Sequence, residues 1–159
     1  MARCFSCGAR TSPSDGPTHR YLLSSPGCWA AYGVVLAREY EEPARMALHR
    51  LTVDAYAVQH PGDTSRRAVR SVNIHLASLC AVLERGVAPS DATRLIGELT
   101  ERDDFAWLEP PASLGALDVT HVLAATTTDE HLAAVRAWAE AAWFAWEPWH
   151  ARVRERLDE

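Results

Sequence analysis

Four cysteines, at positions 4, 7, 28 and 80, are the first residues in the sequence whose spacing suggests chemistry. Cys4 and Cys7 form a CxxC turn followed by Gly8, and such a turn directs two thiolates at one point. Cys28 stands at a predicted helix start, where the helix dipole favours a thiolate. Because zinc is usually bound by four ligands in a tetrahedron, these three cysteines predict a structural zinc site. His19 is the candidate fourth ligand, and a histidine farther along the chain is the alternative.

Two other interpretations of these cysteines stay open: reactive thiols, and no metal at all. The zinc interpretation has a physical motive. Residues 1–27 are rich in Gly, Pro and Ser, and they contain too few apolar groups to order themselves without a metal. Cys80 falls on an apolar helix, so we expect it to be only a small buried residue.

A second set of candidate ligands lies on the stretch from His49 to His60, which is closed by Pro61-Gly62. On an α-helix, His49, Tyr56 and His60 fall within about 20° of one line. The same helix is apolar on both sides of that line, which is typical of a central, buried helix. Buried polar groups need bonding partners, so we expect these side chains to bind something supplied by the rest of the chain.

His75, on the core face of the next predicted helix, supplies a third imidazole, and His150 is a candidate fourth ligand. Three histidines on facing helices with one open position form a catalytic type of metal site. Asp54 is expected to orient a ligand histidine or to pair with an arginine, and Tyr56 to donate to a bound anion or substrate. The alternative is a set of buried histidines that bond to backbone carbonyls, Asp54 and Arg50.

These expectations define two groups of site residues. The candidate catalytic residues are His49, Asp54, Tyr56, His60 and His75. The candidate second metal site, for a divalent ion in addition to zinc, consists of His49, His60, His75 and His150.

The elements that must position these residues are predicted to be helices. Their approximate ranges are 28–41, a central helix that starts near residue 43 and ends at 60, 65–84, 90–100 with Ser90 as its cap, 119–125, and 128–156 with a kink at Pro148. Residues 18–23 could form a short strand, and 107–115 an ordered loop. The predicted fold is all-α, a bundle of four or five main helices with a small N-terminal zinc-knuckle segment. It is one domain, 1–159, with a knuckle segment 1–27 and a helical bundle 28–159.

Composition excludes several classes of function. The net charge is −5 and no long basic run is present, so we expect no nucleic acid bound through its phosphates. No apolar run reaches about 18 residues, so we expect no membrane association through a spanning helix. The first residues lack the apolar core of a signal peptide, and we expect a cytoplasmic location.

All sixteen cationic side chains are arginines, so no lysine is available as a Schiff base or general base. Arg66, Arg67 and Arg70 are expected to form a solvated helix start, and the alternative is that they bind an anionic substrate group. The tryptophans at 138, 143, 146 and 149 are expected to pack in the core rather than to form a ligand cage.

Several longer stretches resemble a known family. They are Pro17-Thr-His-Arg-Tyr21, Ser24-Ser-Pro-Gly-Cys-Trp29, Leu36-Ala-Arg-Glu-Tyr40, the segment from His49 to Gly62, Trp107-Leu-Glu-Pro-Pro111, Val122-Leu-Ala-Ala125 and Ala137-Trp-Ala139. Together they resemble an uncharacterised bacterial family catalogued as domain of unknown function 5946. The resemblance covers nearly the whole chain, and it implies recurring Cys and His positions but no activity.

Three functions are compatible with these patterns. The leading hypothesis is a zinc-binding helical metalloprotein that acts as a small metal-dependent enzyme on a small molecule, such as a hydrolase or a thiol transferase. The three-histidine layout resembles DinB-like thiol transferases, in architecture only. The alternative is a non-catalytic, zinc-stabilised binding or regulatory module whose knuckle docks a protein partner. The third is a thiol redox sensor that uses Cys4, Cys7 and Cys28. No nucleophile elbow, phosphate loop or carboxylate pair identifies the substrate.

Overall fold

The computed structural model describes all 159 residues and is mostly helical, as predicted. The helices are α1 (Pro26–Glu41), α2 (Pro43–Met46), α3 (His49–Val58), α4 (Arg66–Leu83), α5 (Pro89–Thr100), α6 (Val119–Leu123), α7 (Thr128–Ala145) and α8 (His150–Asp158), with a 3₁₀ turn at Glu147–Trp149. Two short strands, β1 (Ala2–Arg3) and β2 (Arg10–Thr11), pair antiparallel. No helix has both the length and the apolar character needed to cross a bilayer.

Helix starts follow from their capping residues. Ser25 caps α1, where its hydroxyl accepts a hydrogen bond from the Cys28 amide. Asp118 caps α6, and Thr127 caps α7 in a reciprocal capping box with Glu130. Each of these side chains satisfies an amide that would otherwise have no partner in the first turn, and this is why the sequence locates these helix starts well.

The structure corrects three details of the predicted helices and strands. The last predicted helix is divided into α7 and α8, because Pro148 lies in the 3₁₀ turn between them and cannot donate an amide hydrogen bond. Helix α5 has Ala88 rather than Ser90 at its cap, and Pro89 occupies its first turn. Residues 18–23 form no strand; the two strands lie on either side of the knuckle instead.

Helix α3 lies at the centre of the molecule, against α4, α5 and α7. Leu51, Ala55 and Val58 are fully buried on it, as expected for a helix with more than one apolar side. One apolar cluster extends from the N-terminal segment to α8 and includes Cys80 and three of the tryptophans, which confirms that these residues pack in the core. Burial of this continuous apolar surface is the main favourable contribution to folding.

The chain just after α3 is anchored by Gln59, whose side chain is buried. Its amide group donates to the carbonyl oxygens of Leu114 and Leu117, at 2.9 and 2.7 Å, and therefore holds the loop that precedes α6. Its amide oxygen accepts from the Trp138 indole of α7 at 2.8 Å. Because all these bonds are made by one buried side chain, the position of the next residue, His60, is closely constrained.

Candidate metal centre

Three separate segments bring four potential metal ligands together. Cys4 and Cys7 come from the knuckle, Cys28 from the first turn of α1, and His60 from the residues that follow α3. Their sulfur and nitrogen ligand atoms all lie within 4.8 Å of one another. Cys4, Cys28 and His60 are at most 2% exposed, and Cys7 is half-buried. The cluster is therefore closed to solvent on most sides.

The distances within the cluster match a tetrahedral zinc site. The Sγ atoms of Cys7 and Cys28 lie 3.8 Å apart, and His60 Nε2 lies 3.7 Å from the Cys4 sulfur and 3.5 Å from the Cys28 sulfur. A tetrahedron with usual zinc–sulfur and zinc–nitrogen bonds has edges of about 3.8 Å between sulfurs and about 3.6 Å between sulfur and nitrogen. These three distances are compatible with one zinc ion bound by the four side chains.

The knuckle is shaped by a tight turn between β1 and β2. The Cys4 amide donates to the Ala9 carbonyl at 2.8 Å, and the Gly8 amide donates to the Cys4 carbonyl at 3.0 Å. Gly8 has a φ of 82°, a left-handed conformation that residues with a side chain rarely adopt. This turn points both thiols of the CxxC sequence towards α1 and α3, where the other two ligands lie.

Each sulfur in the cluster accepts one hydrogen bond from outside the ligand set. The Ser25 amide donates to the Cys4 sulfur and the Ala9 amide to the Cys7 sulfur, both at 3.5 Å. The Tyr56 hydroxyl donates to the Cys28 sulfur at 3.7 Å. Donors of this kind stabilise a thiolate, which is the form of cysteine that binds metal.

His60 is oriented through its second ring nitrogen. Its Nδ1 donates to the carbonyl oxygen of Tyr56 at 2.7 Å, so its Nε2 faces the sulfurs with a free lone pair. The ring also stacks on the Tyr56 ring, with centroids 4.0 Å apart. Gly62 shapes the segment that follows: it has a φ of 74°, and a Cβ there would lie 2.4 Å from the Tyr21 carbonyl oxygen.

Three thiols in one buried cluster cannot all ionise without a compensating cation. Hydrogen bonds from the Cys28 and Cys7 thiols hold the pKa of Cys4 far below its usual value. Hydrogen bonding to the Cys4 thiolate raises the pKa of Cys28 to about 12, and the pKa of Cys7 is raised well beyond its usual value, chiefly by its hydrogen bond to Cys28. A divalent cation would compensate the charge of three thiolates and favour their deprotonation together.

The structure thus brings the three predicted cysteines together and places His19 outside their cluster. The Nδ1 of His19 accepts from the amides of Tyr21 and Leu22, at 3.4 and 3.2 Å, and its ring packs against Trp29. His60, which we had expected in the second site, lies in its place. A histidine farther along the chain was the open alternative, but nothing in the local sequence distinguishes which one.

The structure does not assemble the predicted second site. His49 Nδ1 bonds to Glu39 at 2.6 Å, and His75 Nδ1 bonds to Asp54 at 2.7 Å. His150 Nε2 donates to the Trp143 carbonyl oxygen at 2.9 Å. The Cys–His cluster is the one group of three or more potential ligands that lie this close together. His60 does lie beside Tyr56, one turn earlier, but His49 and His75 are bonded to carboxylates and do not join it.

Tyr56, predicted to donate to a bound anion or substrate, instead reaches the Cys28 sulfur. It is fully buried, and this burial raises the pKa of its hydroxyl well above the usual value. Tyr56 therefore stays protonated and serves as a neutral donor in the wall of the metal site.

The remaining candidate histidines, His75 and His49, are bonded to two buried carboxylates, Asp54 and Glu39. Asp54 bonds to His75 and, at 3.0 Å, to the Nε of Arg50, and it accepts from the Ser78 hydroxyl at 2.5 Å. Asp54 therefore contacts both an arginine and a histidine, and every buried oxygen of its carboxylate has a partner.

The second carboxylate, Glu39, was missed by the sequence argument. It accepts from the Thr52 hydroxyl at 2.5 Å and lies 3.2 Å from Nε2 of His131, in addition to its contact with His49. Glu39 and His131 are almost completely buried. The only sequence signal was an acid within an otherwise apolar helix face, and that pattern alone does not identify its partners.

The fold and cluster together define a helical protein with a Cys₃His cluster that is close enough to bind a metal ion and is compatible with zinc. The chain belongs to the family of unknown function DUF5946, whose model matches residues 2–147. This confirms the resemblance noted in the sequence, and the matched range contains all four ligands. No curated protein and no solved structure matches the chain.

Proposed function

We propose that the protein is a zinc-stabilised helical binding module in which the zinc ion has a structural role. The observation that carries this proposal is the closed Cys4, Cys7, Cys28 and His60 set, with edges of zinc-site length. A zinc ion with four protein ligands has no position left for water or substrate, whereas catalytic zinc sites keep one open. This favours the non-catalytic alternative over the metal-dependent enzyme, whose second centre loses His60 to the structural site.

The ion would fasten the N-terminal segment to the helical core. Of the first twelve residues, only Cys4, Ala9 and Thr11 are buried, so this segment has little apolar surface to hold it in place. Its ligands join it both to the start of α1 and to the end of α3. Zinc binding would supply the missing stabilisation, because ions in structural sites contribute about 10–16 kcal/mol of apparent binding free energy at neutral pH.

The decisive test is the zinc content of the purified protein by elemental mass spectrometry, with matched variants. We expect one zinc per chain, lost in Cys28→Ser and in His60→Ala. Cys80→Ala and His49→Ala are the matched controls, since each removes the same residue type outside the cluster, and both keep the zinc. Cobalt substitution should give the intense visible absorption of tetrahedral, sulfur-rich coordination.

Two results would contradict the proposal. If His60→Ala keeps one zinc per chain, His60 is not a zinc ligand. The sulfurs of Cys7 and Cys28 lie only 3.8 Å apart. If the purified protein contains no metal and these two cysteines form a disulfide under mild oxidation, the thiol redox sensor is favoured instead.

A further inference from the structure

We propose that a second, separate site on α4 binds the phosphate group of a small molecule. The site is a cavity of about 360 Å³ on the side of α4 that faces Tyr21 and the end of α5. Arg67, Arg70, Ser71 and His75 line it. None of these residues belongs to the metal cluster, so the inference goes beyond the structural role proposed for zinc.

The first argument is unpaired positive charge. Arg67 and Arg70 line the cavity and form no hydrogen bond or ion pair with any other side chain, and no Asp or Glu lines the cavity with them. Their neighbour Arg66 differs, because its guanidinium pairs with Asp103 on both carboxylate oxygens. Two guanidinium groups without acids, one helical turn apart, are suited to the oxygens of a phosphate group.

The second argument is a buried hydroxyl without a partner. Ser71 lines the same cavity, is 5% exposed, and its Oγ makes no hydrogen bond within the protein. A buried polar atom is almost always satisfied by protein, water or a ligand, so an unpaired one at the wall of a polar cavity indicates a missing partner. Ser71 follows Arg67 by four residues, which places both on one face of α4.

The third argument is the orientation of His75. Its Nδ1 is bonded to Asp54, at 2.7 Å, and its Nε2 makes no hydrogen bond to the protein. The ring is 14% exposed, and it lines the cavity. Asp54 is fully buried and is held in turn by Arg50 and Ser78. Because the His75 Nδ1 donates to the Asp54 carboxylate, Nε2 is left with a lone pair, which can accept a hydrogen bond from a P–OH group in the cavity.

Phosphate accounts for this donor set better than a carboxylate does. The two guanidinium groups carry two positive charges, of which a single carboxylate compensates only one. A phosphate has a charge near −2, and its oxygens could accept from both guanidinium groups and the Ser71 hydroxyl, while a P–OH group of hydrogen phosphate could donate to the His75 Nε2. The cavity is large enough for the phosphate together with a small organic group.

The test is titration of the full-length protein with inorganic phosphate, followed by isothermal calorimetry and by ¹H–¹⁵N NMR of the histidine rings. We expect saturable binding with a shift of the His75 Nε2 resonance. Arg67→Gln and Arg70→Gln should each weaken binding by about tenfold. Arg66→Gln is the matched control, since it lies on the same helix turn but pairs with Asp103, and it should change affinity less than about twofold.

Each variant is also measured for zinc content and thermal unfolding, which separates this proposal from the role of zinc. Loss of phosphate binding with unchanged zinc supports a separate site. The proposal is overturned if phosphate binding is not saturable, if Arg66→Gln weakens it as much as Arg70→Gln does, or if acetate binds as tightly as phosphate. Ser71→Ala should weaken binding by a few-fold without lowering the melting temperature, because its hydroxyl has no partner in the protein.

Discussion

His60 and His75 use the same device for different purposes. In each, Nδ1 is held by the protein, by the Tyr56 carbonyl for His60 and by the Asp54 carboxylate for His75. The Nε2 of His60 then faces three sulfurs, whereas the Nε2 of His75 faces a cavity that contains arginines and a hydroxyl. The groups around the free nitrogen, and not the histidine itself, therefore determine whether the site is suited to a cation or to an anion.

The two regions also differ in how complete they are. The metal cluster supplies four ligands from three segments, and every sulfur already has an outside donor. The α4 cavity instead leaves two guanidinium groups and one hydroxyl without partners. A closed set is typical of a structural ion, and an open set of a ligand that comes and goes.

The largest expected effect is on the metal cluster. Cys28→Ser should abolish zinc binding and remove most of the net stability, because zinc-dependent folding free energy of about 10–16 kcal/mol is comparable to the total stability of about 5–15 kcal/mol of a small domain. Circular dichroism melts with and without chelator measure this. Cys80→Ala is the control, because Cys80 lies in the apolar core outside the cluster and its thiol bonds to Glu84, and it should melt in a chelator-sensitive transition like the wild type. Equal melting temperatures for wild type and Cys28→Ser would show that zinc does not stabilise the fold.

The next largest effect is expected at the support of His75. Asp54→Asn should lower the free energy of unfolding by about 3–5 kcal/mol, because it removes a fully buried carboxylate charge that pairs with Arg50 and bonds to His75. Urea denaturation gives this value. The exposed pair of Arg66 and Asp103 is the comparison, and Asp103→Asn should cost less than about 1 kcal/mol. If both substitutions cost the same, burial is not what makes the Asp54 interactions important.

An intermediate effect is expected when His75 is replaced, and it should be limited to phosphate binding. His75→Gln should weaken phosphate binding by about tenfold while the zinc content stays at one per chain, because Gln replaces the imidazole without touching the cluster. Calorimetry and elemental analysis of the same sample measure both quantities. His49→Gln is the control, since His49 bonds to Glu39 and lines neither site, and it should change neither binding. A joint loss of zinc and phosphate in His75→Gln would mean that the two regions are not independent.

The smallest effect is expected at the wall of the metal site. Tyr56→Phe removes the hydroxyl that donates to the Cys28 sulfur, and it should cost about 0.5–1.5 kcal/mol of stability in the zinc-bound protein. Zinc should stay bound but leave faster in competition with a chelator. Tyr40→Phe is the control, because Tyr40 is 68% exposed, and it should have no measurable effect. An unchanged chelator competition rate in Tyr56→Phe would show that this donor does not stabilise the thiolate.

Local patterns were sufficient for much of the fold. The predicted helix starts at 119 and 128 agree with α6 and α7, because the caps Asp118 and Thr127 act on amides two or three residues away. The CxxC turn was identifiable for the same reason. The predicted continuous last helix was wrong because the break at Pro148 was expected only as a kink, and the energetic difference between a kink and a break depends on what each half packs against.

The candidate site was predictable only in part. Cysteine spacing suggested three members of the cluster, but His60 was assigned to another site because it shares a helical line with His49, which bonds to Glu39 instead. The partners of His49 were also missed, since Glu39 and His131 come from two other helices. Helical periodicity gives the face of a residue on its own helix and contains no information about what that face meets.

The sequence by itself determined the helical class, most helix starts, the knuckle, and the burial of α3, because capping, turn geometry and amphipathic period act over a few residues. Only the tertiary structure decided which histidine joins Cys4 and Cys7 and which one faces the arginines of α4. His60 is 56 residues from Cys4, and His75 depends on Asp54 on another helix. Contacts across such separations arise from the packing of whole helices, which no local pattern specifies.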